Sequence, residues 1–376
     1  MTAARIPVTV LTGFLGSGKT TVLNRLLRQP ELDGTVAIIN EFGAVGLDHL
    51  LVEASEERFA LLDNGCICCT VRDDLVTTLK DIVARSDAGT LPQVRRILIE
   101  TTGLADPVPV LHTLIVDPDL APLFAIDGVA VTVDAVNGLA TLEAHPEAMK
   151  QVAVADRVLI TKADIADEKD FMRLERRLAR LAPTADRFAV AHGEVDADKI
   201  LGAGGFNPDG LSADVAIWFR EAARAADAAA AHDHDHDEAC GDPHCDHDHH
   251  HHHASAHARA HEGIQSYAFV IEQPVEWAAF AQWLEYLTML KGEKLLRMKG
   301  LVHLADDPSR PMVVHAVQSV VHPPARLSAW PDDDHRTRIV FIVRDIPRET
   351  VERTLARFAS IEAGSITRPA RQEELA

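Results

Sequence analysis

The first apolar run, residues 6–11, leads at once into a glycine-rich turn and then into a helix that begins near Thr21. Short β-branched or apolar runs recur at 35–40, 59–63, 94–100, 128–134, 157–160 and 187–190, and each reads as a buried strand. Helices are expected over 73–86 and 168–181, the second amphipathic with arginines on its solvated face. Strand, helix, strand alternation through residues 1–225 predicts an α/β fold, a mostly parallel sheet with helices on both faces. The patterning then stops. Residues 226–263 carry no apolar periodicity and are expected to be a disordered linker. Regular patterning restarts with strands at 264–271, 294–304, 312–321 and 338–343 and helices at 275–286 and 347–358, which predicts a small α+β C-terminal domain over 264–376. Arg297 and Lys299 fall on one side of their strand, as expected of an edge strand kept soluble or of a face shown to a partner.

Composition narrows the class. A chain of 376 residues is long for one core and favours two domains. The formal net charge of −20, with no run of Lys and Arg, argues against nucleic acid and suits cation binding. No apolar stretch reaches membrane-spanning length, and the N-terminal run has no small-residue cleavage site, so a cytoplasmic protein is expected. There the five cysteines read as metal ligands or redox thiols before disulfides.

The glycine-rich turn, from Gly13 through Gly16, Ser17, Gly18, Lys19 and Thr20 to Thr21, has P-loop spacing between a strand and a helix. Backbone N–H groups there wrap phosphate oxygens, Lys19 reaches the β- and γ-phosphates, and the Thr20 hydroxyl meets Mg²⁺. The helix N-terminus adds partial positive charge at the same place. A nucleoside triphosphate ligand follows. Glu41, in the loop after the second strand, is either a metal-contacting switch carboxylate or a solvated one. Glu100 ends an apolar strand just before Gly103, facing the ligand crevice of an α/β sheet, where a Mg²⁺-bound water is held; Gly103 lets the backbone approach the γ-phosphate. Thr161-Lys162-Ala163-Asp164 closes another strand. Asp164 there accepts from the adjacent N–H donors of guanine, which adenine lacks, and the Lys162 stem lies over the purine. The loop at Ala191-His192-Gly193 either closes the base pocket or is a plain connection.

Cys66, Cys68 and Cys69 lie within four positions, a spacing that packing does not explain. As thiolates they suit Zn²⁺, Cu(I) or a related ion, with a redox pair as the other reading. A tetrahedral ion needs a fourth ligand, from Glu41, Asp48, a histidine or water. The His- and Asp-rich linker reads as a weak multi-site metal reservoir, with Cys240, Cys245, His244 and His247 as one candidate tighter site, or else as a solubilising spacer.

With these motifs in this order, the chain resembles the CobW-like metallochaperone GTPases over nearly its whole length. The resemblance implies a P-loop NTPase domain and a CobW-type C-terminal domain, slow GTP hydrolysis with Mg²⁺, and tight metal binding at Cys66, Cys68 and Cys69. It implies that Lys19 and Thr20 hold phosphate and Mg²⁺, that Glu41 and Glu100 bind the metal or its water, and that Lys162 and Asp164 read guanine. The expected cargo is Zn²⁺, with Co²⁺ as the alternative, and the expected partner is a client metalloprotein; a homodimer is compatible, nucleic acid and membrane are not. The other readings are a cobalt, nickel or iron insertion factor and a His-rich metal store.

Overall fold

The computed structural model describes residues 5–39, 59–61, 70–202, 263–358, 361 and 366–367. Glu41, Asp48, Cys66, Cys68, Cys69 and the histidine-rich stretch with Cys240 and Cys245 lie outside the described residues.

The first unit is a sheet of seven parallel strands: β1 (Ile6–Gly13), β2 (Thr35–Ile39), β3 (Phe59–Leu61), β4 (Arg96–Glu100), β5 (Phe124–Asp134), β6 (Arg157–Thr161) and β7 (Asp186–Val190), in spatial order β3-β2-β4-β1-β5-β6-β7. Among the described residues six helices accompany it: α1 (Lys19–Leu26), α2 (Thr70–Asp87), α3 (Val108–Val116), α4 (Gly138–Ala144), α5 (Pro146–Ala153) and α6 (Glu168–Leu181). Both faces of the sheet are covered, which is why its strands read as continuous apolar runs rather than as alternations. Val8 and Val10 of β1 face a core completed by α2, α3, α5 and α6, while Leu11 joins Val22, Leu23 and Leu26 of α1 on the other side. Because β1 lies between β4 and β5, the loops leaving β1, β4 and β5 emerge side by side at the carboxyl ends of the strands.

Helices α3, α4 and α5 have no counterpart in the expected pattern. In α3, Val108, Val110, Leu111 and Leu114 are all buried, because the helix packs on β5 and is also covered from the second unit. A helix wetted on so little of its surface shows no apolar stripe.

The second unit is an antiparallel sheet of β8 (Ile264–Ile271), β9 (Leu295–Val302), β10 (Met312–Val317), β11 (Val320–Val321), β12 (Ala325–Arg326), β13 (Thr337–Arg344) and β14 (Ile366–Thr367). The order is β11-β10-β9-β13-β8-β14, with β12 paired to β10. Helices α7 (Trp277–Lys291) and α8 (Arg348–Phe358) cover one face, with Phe280, Trp283, Val351 and Leu355 packed on Phe269 and Phe341.

Two expectations are corrected here. The run at 312–321 is not one strand: Gln318 takes a left-handed conformation (φ 51°), and the chain folds back so that Val317 pairs with Val320. Nor is the strand of Arg297 and Lys299 an edge: β9 sits between β10 and β13, and every residue in it is buried. Arg297 and Lys299 instead reach Asp156, in the loop between α5 and β6. Lys299 Nζ is 3.0 Å from Asp156 Oδ1, and Arg297 donates to the same carboxylate and to the Val154 carbonyl. Asp156 is fixed in turn by the Val129 N–H of β5 at 3.0 Å. Burying two cations is tolerable only with a counter-charge in hydrogen-bond contact, and the first unit supplies it.

Candidate functional site

The loop after β1 turns sharply because Gly13 (φ 145°) lies against β5, where an added Cβ would sit 2.4 Å from the Thr132 carbonyl oxygen. Ser17 Oγ and Thr132 Oγ1, 2.6 Å apart, pin the loop to that strand, and Gly18 (φ 92°) caps α1. Lys19 is buried at the start of α1, its Nζ reaching back across the loop to the Phe14 carbonyl at 3.3 Å. In this conformation the backbone N–H groups at the start of α1 and the Lys19 ammonium share one concave turn, a cradle for anionic oxygen.

The strand end predicted to work with this loop meets it directly. Thr20 Oγ1 donates to Glu100 Oε1 at 2.8 Å, and Glu100 is only 4% exposed. Next to it, Thr101 N–H donates to the Leu11 carbonyl at 3.0 Å and Thr101 Oγ1 donates to Thr12 Oγ1 at 2.7 Å, tying the end of β4 to β1. Gly103 presses on the loop so closely that a Cβ would lie 2.7 Å from Leu15 N. A hydroxyl and a carboxylate in contact at the mouth of an anion cradle form an oxygen donor pair of the kind Mg²⁺ takes.

At the far side of the loop, Thr161 Oγ1 donates to the Ser17 carbonyl at 2.7 Å and so braces the glycine-rich turn. Lys162 adopts a left-handed conformation (φ 56°) and its Nζ pairs with Asp134 Oδ2 at 2.7 Å. Burial pushes the Asp134 carboxyl up, but Lys162, the Asn137 amide and the Val136 and Asn137 N–H groups outweigh it and hold the group below its ordinary value. Asp164 lies 3.5 Å from His192 Nδ1, and Gly193 abuts Thr21, where a Cβ would meet Thr21 Cγ2 at 2.8 Å. The 191–193 loop therefore runs beside both Asp164 and the start of α1.

The structure thus brings together Gly13 to Thr21, Glu100, Gly103, Thr161, Lys162 and Asp164. β2 ends at Ile39 opposite Glu100, and β3 ends at Leu61 opposite Ile39; Glu41 follows Ile39 by two residues and Cys66 follows Leu61 by five. Among the described residues, no cluster of three or more His, Cys, Asp or Glu is placed to hold a metal ion, and no helix is long and apolar enough to cross a membrane.

The sequence pattern missed Gln151 and Asp134. Gln151, 1% exposed on α5, donates through Nε2 to the carbonyls of Gly103 (3.2 Å) and Ala105 (3.0 Å), holding the loop that follows Glu100. Its signal was a lone amide among Ala148, Met149, Val152 and Ala153. Asp134 ends an apolar strand just as Glu100 does, which was its signal. A cavity of about 290 Å³ lies between the loop and α4–α5, lined by Phe14, Leu15, Asp134, Asn137, Gln151 and Lys162 among others.

Residues 7–189 match the family of CobW/HypB/UreG nucleotide-binding domains, and residues 264–359 match the cobalamin synthesis protein cobW C-terminal domain. The chain is 30% identical over 351 residues to the zinc chaperone YjiA of Escherichia coli (strain K12), covering 93% of this chain and 98% of that protein. It is 34% identical over 233 residues to the zinc chaperone CobW of Pseudomonas aeruginosa, covering 54% of this chain and 60% of that one. The crystal structure of zinc-bound YjiA GTPase from E. coli superimposes with a TM-score of 0.63 at 26% identity, over 94% of this chain and 99% of the other.

Proposed function

The chain belongs to the CobW family of P-loop nucleotide-binding proteins, and from that premise we propose that it hydrolyses GTP and carries a transition metal, zinc first, for delivery to a client metalloprotein. The observation that carries the reading is the Thr20–Glu100 hydrogen bond. It joins the phosphate-binding turn to the strand end that handles hydrolysis, on a chain that matches a relative named a zinc chaperone over 98% of that relative's length.

In this reading the N–H groups of the loop and the Lys19 ammonium hold the β- and γ-phosphates. Lys162 and Asp164 read the guanine, and the 191–193 loop closes over it. Thr20 and Glu100 are the residues that would hold Mg²⁺, which when bound would supply positive charge against the β- and γ-phosphoryl groups. Glu100, held by the tie between β4 and β1, keeps the attacking water in line, and Gly103 brings a backbone N–H to the γ-phosphate without a side chain intervening. Zinc is cargo, taken by the soft thiolates Cys66, Cys68 and Cys69, with Glu41 at the junction between metal and nucleotide. A cytoplasmic site of action goes with this reading, since the thiolates must stay reduced.

Exchanging Glu100 for Gln keeps the shape and removes the charge. GTP turnover is expected to fall by about 100-fold or more, with GDP affinity within about threefold of the parent protein. Unchanged turnover would remove Glu100 from the chemistry and the reading with it.

A further inference from the structure

The loop after Glu100 is held from two sides, and one holder belongs to the second unit. Gln151 of α5 grips the carbonyls of Gly103 and Ala105. From the other side, Gln318 Nε2 donates to Asp106 Oδ2 at 3.1 Å. The same Asp106 carboxylate accepts through Oδ1 from the Val108 N–H at 3.0 Å, at the start of α3. One carboxylate therefore joins three things: the end of the loop, the first turn of α3 and the turn between β10 and β11.

That turn is seated in the first unit. Val317 and Val320, on either side of Gln318 and Ser319, are 4% and 2% exposed and belong to the core formed by α2, α3 and the first sheet. β11 packs on α3, while β10 pairs with β9, whose Arg297 and Lys299 are anchored on Asp156. Gln318 holds the left-handed conformation (φ 51°) that a residue with a side chain adopts at a cost. The conformation aims its amide at Asp106, and the seated valines keep it there.

We propose that the Val317–Val320 turn is the contact through which the C-terminal domain senses the γ-phosphate. The proposal rests on the GTP-hydrolysing reading. Gly103 is at once the residue against the phosphate loop and the residue held by Gln151, so gaining or losing a γ-phosphate shifts the 103–106 segment. Asp106 carries that shift to Gln318 and to the start of α3. The Asp156 cluster is the fixed point about which the sheet of the second domain responds, and Gln318 is the point at which it is moved. Coupling between the sites is reciprocal, so a partner that repositions the C-terminal domain changes the preference of the site for GTP over GDP by the same factor.

Amide hydrogen exchange on the full chain tests this, with Mg²⁺ and a non-hydrolysable GTP analogue, with GDP, or with neither. Peptides covering 14–26 should slow with either nucleotide. Peptides covering 312–322 should exchange at rates differing by about fivefold or more between analogue and GDP, the lower end of ordinary coupling between sites. Gln318→Gly removes the amide while suiting the left-handed backbone. It should erase that difference and leave GDP affinity and thermal stability in place. Identical exchange at 312–322 in the two nucleotide states, with the 14–26 peptides still responding, would overturn the proposal while leaving the nucleotide reading intact; so would a difference that survives in Gln318→Gly. Silence at 14–26 would show that the nucleotide reading fails first and takes the coupling with it.

Discussion

Lys299 Nζ lies 3.0 Å from Asp156 Oδ1, a contact across the boundary between the two sheets in which the lysine is 2% exposed. Arg297 shares the carboxylate, so one acid balances two buried bases. Burial pushes the Lys299 ammonium down to about 8, against the pull of Asp156, while the two cations and the Val129 N–H outweigh burial and hold the Asp156 carboxyl far below the usual carboxylate range.

Removing the acid alone should be costly. Asp156→Asn leaves two buried cations without a counter-charge, and a loss of about 3–5 kcal/mol is expected. Urea unfolding followed by the fluorescence of buried Trp283 reads it. Replacing Asp156, Arg297 and Lys299 together with apolar residues of similar size should restore most of the loss, because the desolvation cost of all three charges disappears with them.

Stability should also fall in mild acid. His322 faces Asp156, Arg297, Lys299 and His315; burial, aided by the two cations, pushes it from 6.5 down to about 4, and burial pushes His315 well below its ordinary value too. Between pH 6.5 and about 4 the unfolded chain takes up protons at these positions and the folded chain does not, so stability drops as pH falls through that window. His322→Asn should remove about 3 kcal/mol of that drop, measured as unfolding free energy against pH. A slope unchanged by the substitution would place the effect elsewhere.

The hydroxyl of Thr161 should matter to nucleotide binding more than to folding. Thr161→Val loses the donor to the Ser17 carbonyl in the glycine-rich turn. Without that brace the turn must be ordered by the nucleotide itself, and if that ordering draws on the ~1–3 kcal/mol the hydrogen bond supplied, affinity falls by about 5- to 150-fold. Thr161→Ser should stay near the parent value, and titration with a fluorescent GDP separates the two.

Base recognition by Asp164 can be tested by swapping the pattern of donors and acceptors. Asp164→Asn cannot accept from both guanine N–H groups, and GTP affinity should fall by about 100-fold or more. Xanthosine triphosphate presents a carbonyl in place of the amino group, so the variant should bind it better than it binds GTP. Competition between the two nucleotides gives the ratio directly.

What the sequence revealed and what it hid divide along physical lines. The glycine-rich turn, Glu100 and Thr161 to Asp164 were legible because their spacing sets local backbone geometry, and a parallel sheet then brings strand ends to one edge whatever the rest of the chain does. Arg297 and Lys299 were misread because burial is a tertiary property: nothing near β9 in sequence announces that Asp156, well over a hundred positions earlier, will sit opposite. Gln318 escaped for a related reason. Its left-handed turn lies inside a β-branched run that reads as one strand, and only the seating of Val317 and Val320 in the other core makes the break worthwhile. Asp106 was hidden because α3, which starts just after it, is covered on most sides and shows no amphipathic stripe, and Gln151 because α5 spans only eight residues, too few for its period to stand out. Glu41, Asp48 and Cys66 to Cys69 lie outside the described residues.

The central claim is a GTP-hydrolysing metal carrier. With Glu41 proposed at the junction between metal and nucleotide, GTP is expected to tighten the hold on zinc, so zinc affinity in each nucleotide state tests the claim most directly. Competition with a chromogenic chelator would be run on the full chain and on a variant with Cys66 replaced by Ser, with GTP analogue, with GDP and without nucleotide. The account expects one tight site that binds zinc at least about fivefold more tightly with the analogue than with GDP, and that is lost in Cys66→Ser. Equal affinity in all three states, or a tight site that survives the loss of Cys66, would contradict it.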